Sequence, residues 1–250
     1  MIDIERKIGI LTYRRLWFAD CAPGLPLSGF TSLRQFAGTE APRFWTRHEF
    51  HTILIDLSAN ESTILGAMKK NTSYEIRRAE KDGIESKTVD DIEAFRSFFN
   101  DFAPTKSLKP LSGSNLKSMA PFLTITEAIF ENRPLVMHAY LVDEAVSRAR
   151  LLYSATVART GADGAPTVDP SLLGRANRRL HWTDMLLFKA KGFRTYDLGG
   201  IAGDPSKADT AGIDSFKLAF GGVHAREDNF DSPLLSIAQS LKRALTGKKK

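Results

Sequence analysis

The 250-residue chain lacks several features that would point directly to a class of protein. It has one cysteine, Cys21, so it can form neither an internal disulfide nor a cysteine-based zinc site. It has no run of about 18 or more apolar residues, which argues against a transmembrane helix. Its first residues lack the charged-then-apolar order of a secretion signal. These absences predict a protein of the cytoplasm.

Several catalytic motifs are also missing. The sequence has no Walker loop for phosphate, no glycine fingerprint for dinucleotides and no HExxH zinc motif. Its acidic residues do not show the paired spacing of a metal site or a glycosidase dyad. We therefore expect no metal cofactor.

The charge is positive but modest. The formal net charge is +6, and three lysines at 248–250 contribute part of it. A charge of this size favours an anionic ligand without identifying one. The basic C-terminus could contact an anionic membrane or RNA, although a solvated terminus is the simpler interpretation.

Hydrophobic periodicity predicts strands and loops over residues 1–60, with β-type runs at 8–13 and 52–57. A helix is predicted at 58–82, and Gly83 has the position of a glycine that ends a helix. We place a domain boundary after this helix.

The rest of the chain is predicted to alternate strands and helices. Short polar turns at 131–133 and 143–144 indicate an antiparallel meander of three strands. In chain order the predicted elements are a strand at 84–89, a helix at 90–102, a short helix near 115–120, strands at 122–130, 135–142 and 146–157, a loop at 161–167, a long helix ending at Lys191, a strand at 193–198, a helical turn at Phe216 and a strand at 223–229.

The most informative pattern consists of two glycine-containing segments near the C-terminus. Residues 196–201 (YDLGGI) form a predicted strand with paired glycines, which let a ligand approach the backbone closely. After a polar insert, an apolar turn around Phe216 carries Lys217 and ends in a second pair, Gly221 and Gly222. A lysine on an apolar turn must extend to water or meet an anion.

These segments resemble the C-terminal signature of the Fem family, which comprises non-ribosomal peptidyl and acyl transferases built on the GNAT acyltransferase fold. The resemblance covers roughly residues 52–230 and is best over 174–222. It implies an α/β (α+β) fold with a mixed, mostly antiparallel sheet flanked by helices. Residues 1–82 would then be a reduced N-terminal GNAT-like lobe, and 83–250 the acyltransferase domain.

The same resemblance implies roles for individual residues. Lys217, preceded by Phe216, would stabilise the oxyanion that develops on the transferred carbonyl. Gly199 and Gly200 would bind substrate beside the acyl-transfer channel, and Asp197 would either take part or only cap the glycine turn. The general base stays open between a substrate phosphate, a water molecule and a histidine of the meander, His138.

A second pattern begins the long helix. Asp169 or Ser171 can cap it, and Pro170 suits its first turn. Several arginines follow where the helix dipole disfavours cations, which indicates a bound anion. These arginines are Arg175, Arg178 and Arg179.

In GNAT enzymes the pyrophosphate of acyl-CoA binds at this turn, and the resemblance therefore implies acyl-CoA as the donor. The glycine and the small residue of the GNAT pattern match, whereas a serine replaces its first residue, glutamine or arginine. An ordinary surface helix is the alternative. The predicted cofactor-binding residues are Ser171, Gly174, Arg175, Ala176, Asn177 and Arg178.

A third pattern is a basic helix face formed by Lys70, Tyr74, Arg77 or Arg78, and Lys81. It resembles a Fem segment that borders the acceptor cleft, where basic side chains would bind a diphosphate or another anionic group. Acidic neighbours nearly balance this charge, so a solvated helix with internal ion pairs is an equal alternative.

The sequence thus predicts an N-acyltransferase that moves an acyl group from acyl-CoA to an amine. The predicted acceptor is an amino sugar of a cell-wall or surface-polysaccharide precursor, either small or lipid-linked. A lipid-linked acceptor would place the protein at the inner face of the membrane. The alternatives are an aminoacyl-tRNA-dependent peptidyltransferase of the peptidoglycan-bridge type and a non-catalytic GNAT-like binding module.

Overall fold

The computed structural model describes residues 1–24, 29–158, 168–202 and 208–246. The loop predicted at 161–167 and the three C-terminal lysines lie outside these ranges. The strands are β1 (Ile2–Ile8), β2 (Leu11–Trp17), β3 (Phe30–Phe36), β4 (Thr46–Asp56), β5 (Glu85–Val89), β6 (Leu123–Phe130), β7 (Arg133–Asp143), β8 (Arg148–Thr156), β9 (Thr195–Ile201) and β10 (Val223–Asp231). The helices are α1 (Glu61–Ala67), α2 (Lys70–Lys81), α3 (Ile92–Phe102), α4 (Gly113–Met119), α5 (Pro170–Ala190), α6 (Ala208–Leu218) and α7 (Pro233–Thr246).

The chain divides into two compact units. One comprises Met1–Thr52 with Ala225–Lys250, and the other comprises Ile53–His224. Neither unit ends at residue 82, and the domain division predicted there stays a prediction. Within the described residues, no helix has both the length and the apolar character needed to cross a bilayer.

The first unit is built around an antiparallel hairpin and a parallel neighbour. β1 pairs with β2 in antiparallel register, β2 with β3 in parallel register, and β3 with β10 in antiparallel register. The continuous strand predicted at 8–13 is wrong, because Gly9 adopts a φ of +62° and turns the chain between β1 and β2. Helix α7, which the sequence analysis did not predict, completes this unit.

The second unit contains the predicted meander. β5, β6, β7 and β8 pair in antiparallel order, and β9 pairs with β8 in parallel register. Glu131 and Asn132 both have positive φ at the β6–β7 turn, as a tight hairpin requires. Five of the seven strand pairings resolved in the two units are antiparallel, which confirms the predicted mixed, mostly antiparallel sheet.

Helices cover both faces of the meander. α5 lies on the face that carries His138 and Tyr140, since both side chains bond to Asp184 of that helix. α3 lies on the opposite face, where the ring of Phe99 contacts that of Tyr153 with centroids 5.3 Å apart. Successive side chains of a strand point to opposite faces of the sheet. The polar side chains of His138 and Tyr140 therefore face α5, and the ring of Tyr153 faces α3.

The helix predicted at 58–82 is two helices. α1 is capped by the Asn60 side chain, which accepts a bond from the Thr63 amide (2.8 Å, N to Oδ1). Met68 is extended (φ −73°, ψ 152°), so the chain breaks there before α2 begins. Gly83, with a φ of +81°, ends α2 as predicted.

The two parallel strands of this unit, β8 and β9, separate after a short paired stretch. β8 and β9 pair from Arg148↔Thr195 to Arg150↔Asp197 in the part of the chain that the structure describes, although both strands continue. Gly199 lies just beyond, with a φ of +73°, and a Cβ there would come within 2.7 Å of the Leu151 carbonyl oxygen. Beyond this point side chains take up the backbone groups: Asp197 accepts from the Gly199 amide, and the Gly200 carbonyl accepts from Lys217.

Two further glycines fix the chain after α6. Gly222 has a φ of +86°, and a Cβ there would lie 2.5 Å from the Leu54 carbonyl oxygen. Gly221 has a φ of +78°, and its Cβ would lie 2.7 Å from the carbonyl oxygen of Ala67. The end of α6 can approach α1 and β4 this closely only because neither position carries a side chain.

We predict that Gly222→Ala lowers the free energy of unfolding by on the order of 1–3 kcal/mol, because the new methyl group meets backbone in a strained conformation. Gly212→Ala is the matched control. Gly212 lies in α6 with open space around its Cβ position, so alanine should be neutral or stabilise by about 0.5–1 kcal/mol. Urea denaturation of both variants checks this, and equal stabilities would contradict it.

Candidate active site

Lys217 lies against the paired glycines of β9. Its ammonium donates a hydrogen bond to the Gly200 carbonyl, with 2.6 Å between Nζ and O. The Cβ position of Gly199 is 3.8 Å from the same nitrogen, so the glycine and the ammonium are at van der Waals contact distance. The structure therefore brings together three residues that the sequence analysis had selected, at the place where β8 and β9 part.

Asp197 anchors the glycine turn beneath Lys217. Its buried carboxylate accepts bonds from the Arg148 guanidinium (2.6 Å, Nη2 to Oδ2) and from the Gly199 amide (2.8 Å, N to Oδ1). The carboxylate is thus paired with an arginine and caps the turn. This geometry matches the capping role that the sequence left open.

The environment of Lys217 lowers the pKa of its side chain. Its pKa is lowered to about 8, chiefly because burial penalises the charged form. The nearby guanidinium of Arg150 lowers it further, whereas Asp197 and Asp214 act in the opposite direction. Lys217 is consequently protonated at neutral pH but close to its titration range.

Asp214 ties α6 to the end of β9. Both of its carboxylate oxygens lie 3.1 Å from the amide nitrogen of Ala202, which donates to them. Asp214 also lies one helical turn before Lys217. This carboxylate therefore fixes the start of the turn that positions the ammonium.

A chain of buried hydrogen bonds runs between α5 and the strands. The His181 Nδ1 lies 2.7 Å from the Tyr196 hydroxyl, which lies 2.7 Å from the Tyr140 hydroxyl. Tyr140 donates to Asp184 Oδ2 (2.6 Å), and the same oxygen lies 2.9 Å from His138 Nδ1. All five side chains are buried. Their polar atoms therefore depend on one another rather than on water.

Burial keeps this network neutral at its tyrosines and at His181. The pKa of His181 is lowered well below its ordinary value, chiefly by burial and further by His138 and Lys217. The pKa values of Tyr140 and Tyr196 are raised well above theirs by burial and then by the Asp184 carboxylate. Tyr140, Tyr196 and His181 therefore contribute dipoles rather than charge.

The network also supports the helix that carries Lys217. The His181 ring packs against the rings of Phe216 and Phe220, with centroids 5.7 and 4.8 Å apart. His138 itself is fully buried, and its Nε2 lies 3.0 Å from the Asn177 Oδ1. His138 therefore lies inside the protein rather than at the gap between the strands.

The predicted cofactor-binding turn is present but partly neutralised. Asp169 caps α5, accepting a bond from the Ser171 amide (2.8 Å, N to Oδ1). Arg175 Nε lies 2.6 Å from Asp82 Oδ2, and Arg179 Nη2 lies 3.5 Å from Glu80 Oε1. Carboxylates at the C-terminal end of α2 therefore pair with Arg175 and Arg179, and the binding of an external anion at this turn stays a prediction.

Arg178 differs from its neighbours. Its guanidinium lies 5.1 Å from the centre of the Phe216 ring, and its Nη1 donates to the Gly174 carbonyl (3.0 Å). It has no ion pair with a carboxylate among the described side chains. The six predicted cofactor residues therefore do not form one cluster, since Arg178 faces the Lys217 region, Asn177 faces the interior and Ala176 is buried.

The predicted acceptor-binding residues lie on α2. Lys70, Tyr74 and Arg77 are exposed, and Arg78 bonds to Asp82 (2.9 Å, Nε to Oδ1) within the same helix. Their role in binding an acceptor stays a prediction.

Sequence reasoning missed several groups that shape the site. Tyr140, Asp184 and Arg150 are buried and polar or charged, and each is followed directly by two or more apolar residues. A charged residue within a buried run was the available signal, because such a residue must find a partner.

Comparison with known proteins finds similarity in fold. No protein-family profile and no curated protein sequence matches the chain. Among solved structures, FemX is 11% identical, with a TM-score of 0.64 over 96% of this chain and 85% of FemX. The C-terminal domain (DUF2156) of a candidate lysylphosphatidylglycerol synthetase from Agrobacterium fabrum is 11% identical, with a TM-score of 0.59 over 97% and 84% of the two chains. L-PGS from Bacillus licheniformis is 10% identical, with a TM-score of 0.57 over 99% and 86%.

These likenesses confirm the predicted fold. The chain shares the fold of these structures, and from β5 to β10 it has the predicted order of strand, two helices, meander, helix, strand, helix and strand. At sequence identities this low, the structural likeness establishes the fold alone. The chemistry has to be inferred from the residues of the site.

We predict that the stability of the protein rises with pH between about 8 and 10.5 through Lys217. Over this interval the unfolded chain binds more protons than the folded one, because the folded pKa is about 8 and the ordinary value is 10.5. Lys217→Met should lack this rise, and exposed Lys70→Met should keep it. Urea unfolding of the three proteins from pH 7 to pH 10 measures the effect, and an unchanged pH dependence in Lys217→Met would contradict it.

Proposed function

We propose that this protein is an acyltransferase and that the acyl group is transferred at the gap between β8 and β9. The observation that carries the proposal is the partly buried Lys217 ammonium, held by the Gly200 carbonyl beside Gly199. A preorganised cation in a site shielded from water stabilises a developing oxyanion far better than water does. The Fem-like fold supports the same class of reaction.

The proposed step is direct attack of an amine on the donor carbonyl. The carbon–nitrogen bond forms, the carbonyl oxygen takes the negative charge, and the bond to the leaving sulfur or oxygen then breaks. One ammonium proton of Lys217 is used by Gly200, which leaves two for the oxyanion. The amine loses its proton to water or to a substrate phosphate, and the leaving group is protonated in turn.

Acyl-CoA is the proposed donor. The start of α5 presents helix N–H groups, and Arg178 lies between this turn and Phe216. An anionic group of the donor could bind there, since arginine matches phosphate geometry. The proposed acceptor is the amine of an amino sugar in a cell-wall or surface-polysaccharide precursor, used at the cytoplasmic side of the membrane.

An aminoacyl-tRNA donor is the second candidate, and one observation favours it. Asp82 and Glu80 already pair with Arg175 and Arg179, so less positive charge is available for a pyrophosphate on α5. The solved structures with the same fold include FemX, the C-terminal domain of a candidate lysylphosphatidylglycerol synthetase, and L-PGS. In this case the amine would attack the ester of the charged tRNA, the aminoacyl group would be transferred, and the tRNA hydroxyl would be the leaving group.

We predict that Lys217→Met lowers turnover by about ten-fold to a thousand-fold while the fold is retained, as loss of an oxyanion donor does in other enzymes. The rate should be followed with acetyl-CoA and glucosamine, with Lys117→Met, at an exposed position of α4 outside the predicted sites, as the control. The ratio of the wild-type rate to the Lys217→Met rate should fall above pH about 8, because Lys217 then loses its proton. A ratio that rises with pH would show that Lys217 acts as a base instead.

Calorimetry with acetyl-CoA tests the donor. We predict that Arg178→Ala weakens binding by about ten-fold or more. Arg175→Ala should weaken it less, since that guanidinium is held by Asp82. If acetyl-CoA does not bind the wild type, the acyl-CoA proposal fails, and transfer from charged tRNA becomes the deciding assay. If neither donor is used, the protein is a binding module.

A further inference from the structure

Helix α7 carries an apolar stripe that the first unit does not bury. Leu234, Ile237, Leu241 and Leu245 are 51%, 57%, 61% and 87% exposed. They are spaced by three, four and four residues, which places them along one side of the helix. Single exposed apolar side chains are common, but four aligned over three turns form a continuous surface.

The opposite side of α7 holds the helix in place. Leu235 is buried (7% exposed), and the Gln239 side chain donates to Asp231 Oδ2 (3.2 Å). The Ser236 hydroxyl donates to the Thr46 hydroxyl (2.7 Å). α7 is therefore fixed to its unit with the stripe facing outwards, so the stripe is a surface of the folded protein.

The charged residues of α7 and of the segment that follows it are all basic. Residues 232–250 contain five lysines and arginines and no acidic residue. Two of the basic residues, Lys242 and Arg243, are exposed on α7 itself. An apolar face combined with lysine and arginine is the pattern of a helix that lies in the surface of an anionic membrane.

We propose that α7 binds the surface of an anionic bilayer, with its long axis in the plane of the membrane and the stripe among the headgroups and upper acyl chains. At 1.5 Å per residue, the 14-residue helix is roughly 21 Å long, enough to lay all four apolar side chains on the bilayer together. The proposal is independent of the acyl-transfer chemistry and rests on α7 alone.

A second copy of the chain is the competing occupant. Two stripes of four side chains would cover less surface than the roughly 1,200 Å² that a stable protein interface needs. The like positive charge of the two C-terminal segments would also oppose their association. Charge and area therefore both favour the lipid surface.

Vesicle flotation of the full chain tests the proposal, with vesicles of phosphatidylcholine alone and vesicles containing about one third phosphatidylglycerol. We expect binding to the anionic vesicles that weakens as salt is raised. The double variant Ile237→Glu with Leu241→Glu should reduce binding by about ten-fold or more. Ser240→Glu is the matched control, since it adds a carboxylate to an exposed position of α7 outside the stripe and should retain most of the binding.

Three results would overturn the proposal. The wild type could fail to float with anionic vesicles, or it could float equally well with neutral ones. Ser240→Glu could also reduce binding as much as the double variant does. Sedimentation velocity covers the competing occupant, because a dimer that the double variant abolishes would assign the stripe to a second copy. Circular dichroism and thermal unfolding confirm that each variant is folded.

Discussion

The parting of β8 and β9 is the constraint on which the candidate site depends. Two parallel strands that pair at Arg150↔Asp197 and then separate leave backbone groups that a continuous sheet would have used. Gly199 lets the chain turn away without a clash, and the Asp197 carboxylate holds its amide. The Gly200 carbonyl is then available to bind Lys217.

Buried charge is distributed in two ways around this gap. Arg148 has a carboxylate partner in Asp197, and Arg175 has one in Asp82, so these pairs act as structural ties between elements. Lys217 is held by a neutral carbonyl and faces Arg150, so its charge is only partly compensated. Burial and incomplete compensation lower the pKa of such a cation and favour the binding of a negative charge beside it.

Part of this arrangement could be predicted from the sequence, and the reasons differ by element. The meander follows from hydrophobic patterns that are local in the chain, whereas the proximity of Lys217 to Gly199 was implied only by the resemblance to the Fem family. The pairing of Arg175 with Asp82 could not be predicted, because it depends on how α2 and α5 pack over a separation of more than 90 residues. The helical spacing of Leu234, Ile237 and Leu241 was an available signal for α7 that the sequence analysis did not use.

The hydrogen-bond chain from His181 to His138 makes the interior of the site observable. The hydroxyl protons of Tyr140 and Tyr196 are enclosed on all sides, so they should exchange with solvent far more slowly than those of surface tyrosines. Protons of this kind give separate resonances in nuclear magnetic resonance spectra. Their broadening would report each opening of the packing between α5 and the strands, without any label or substrate.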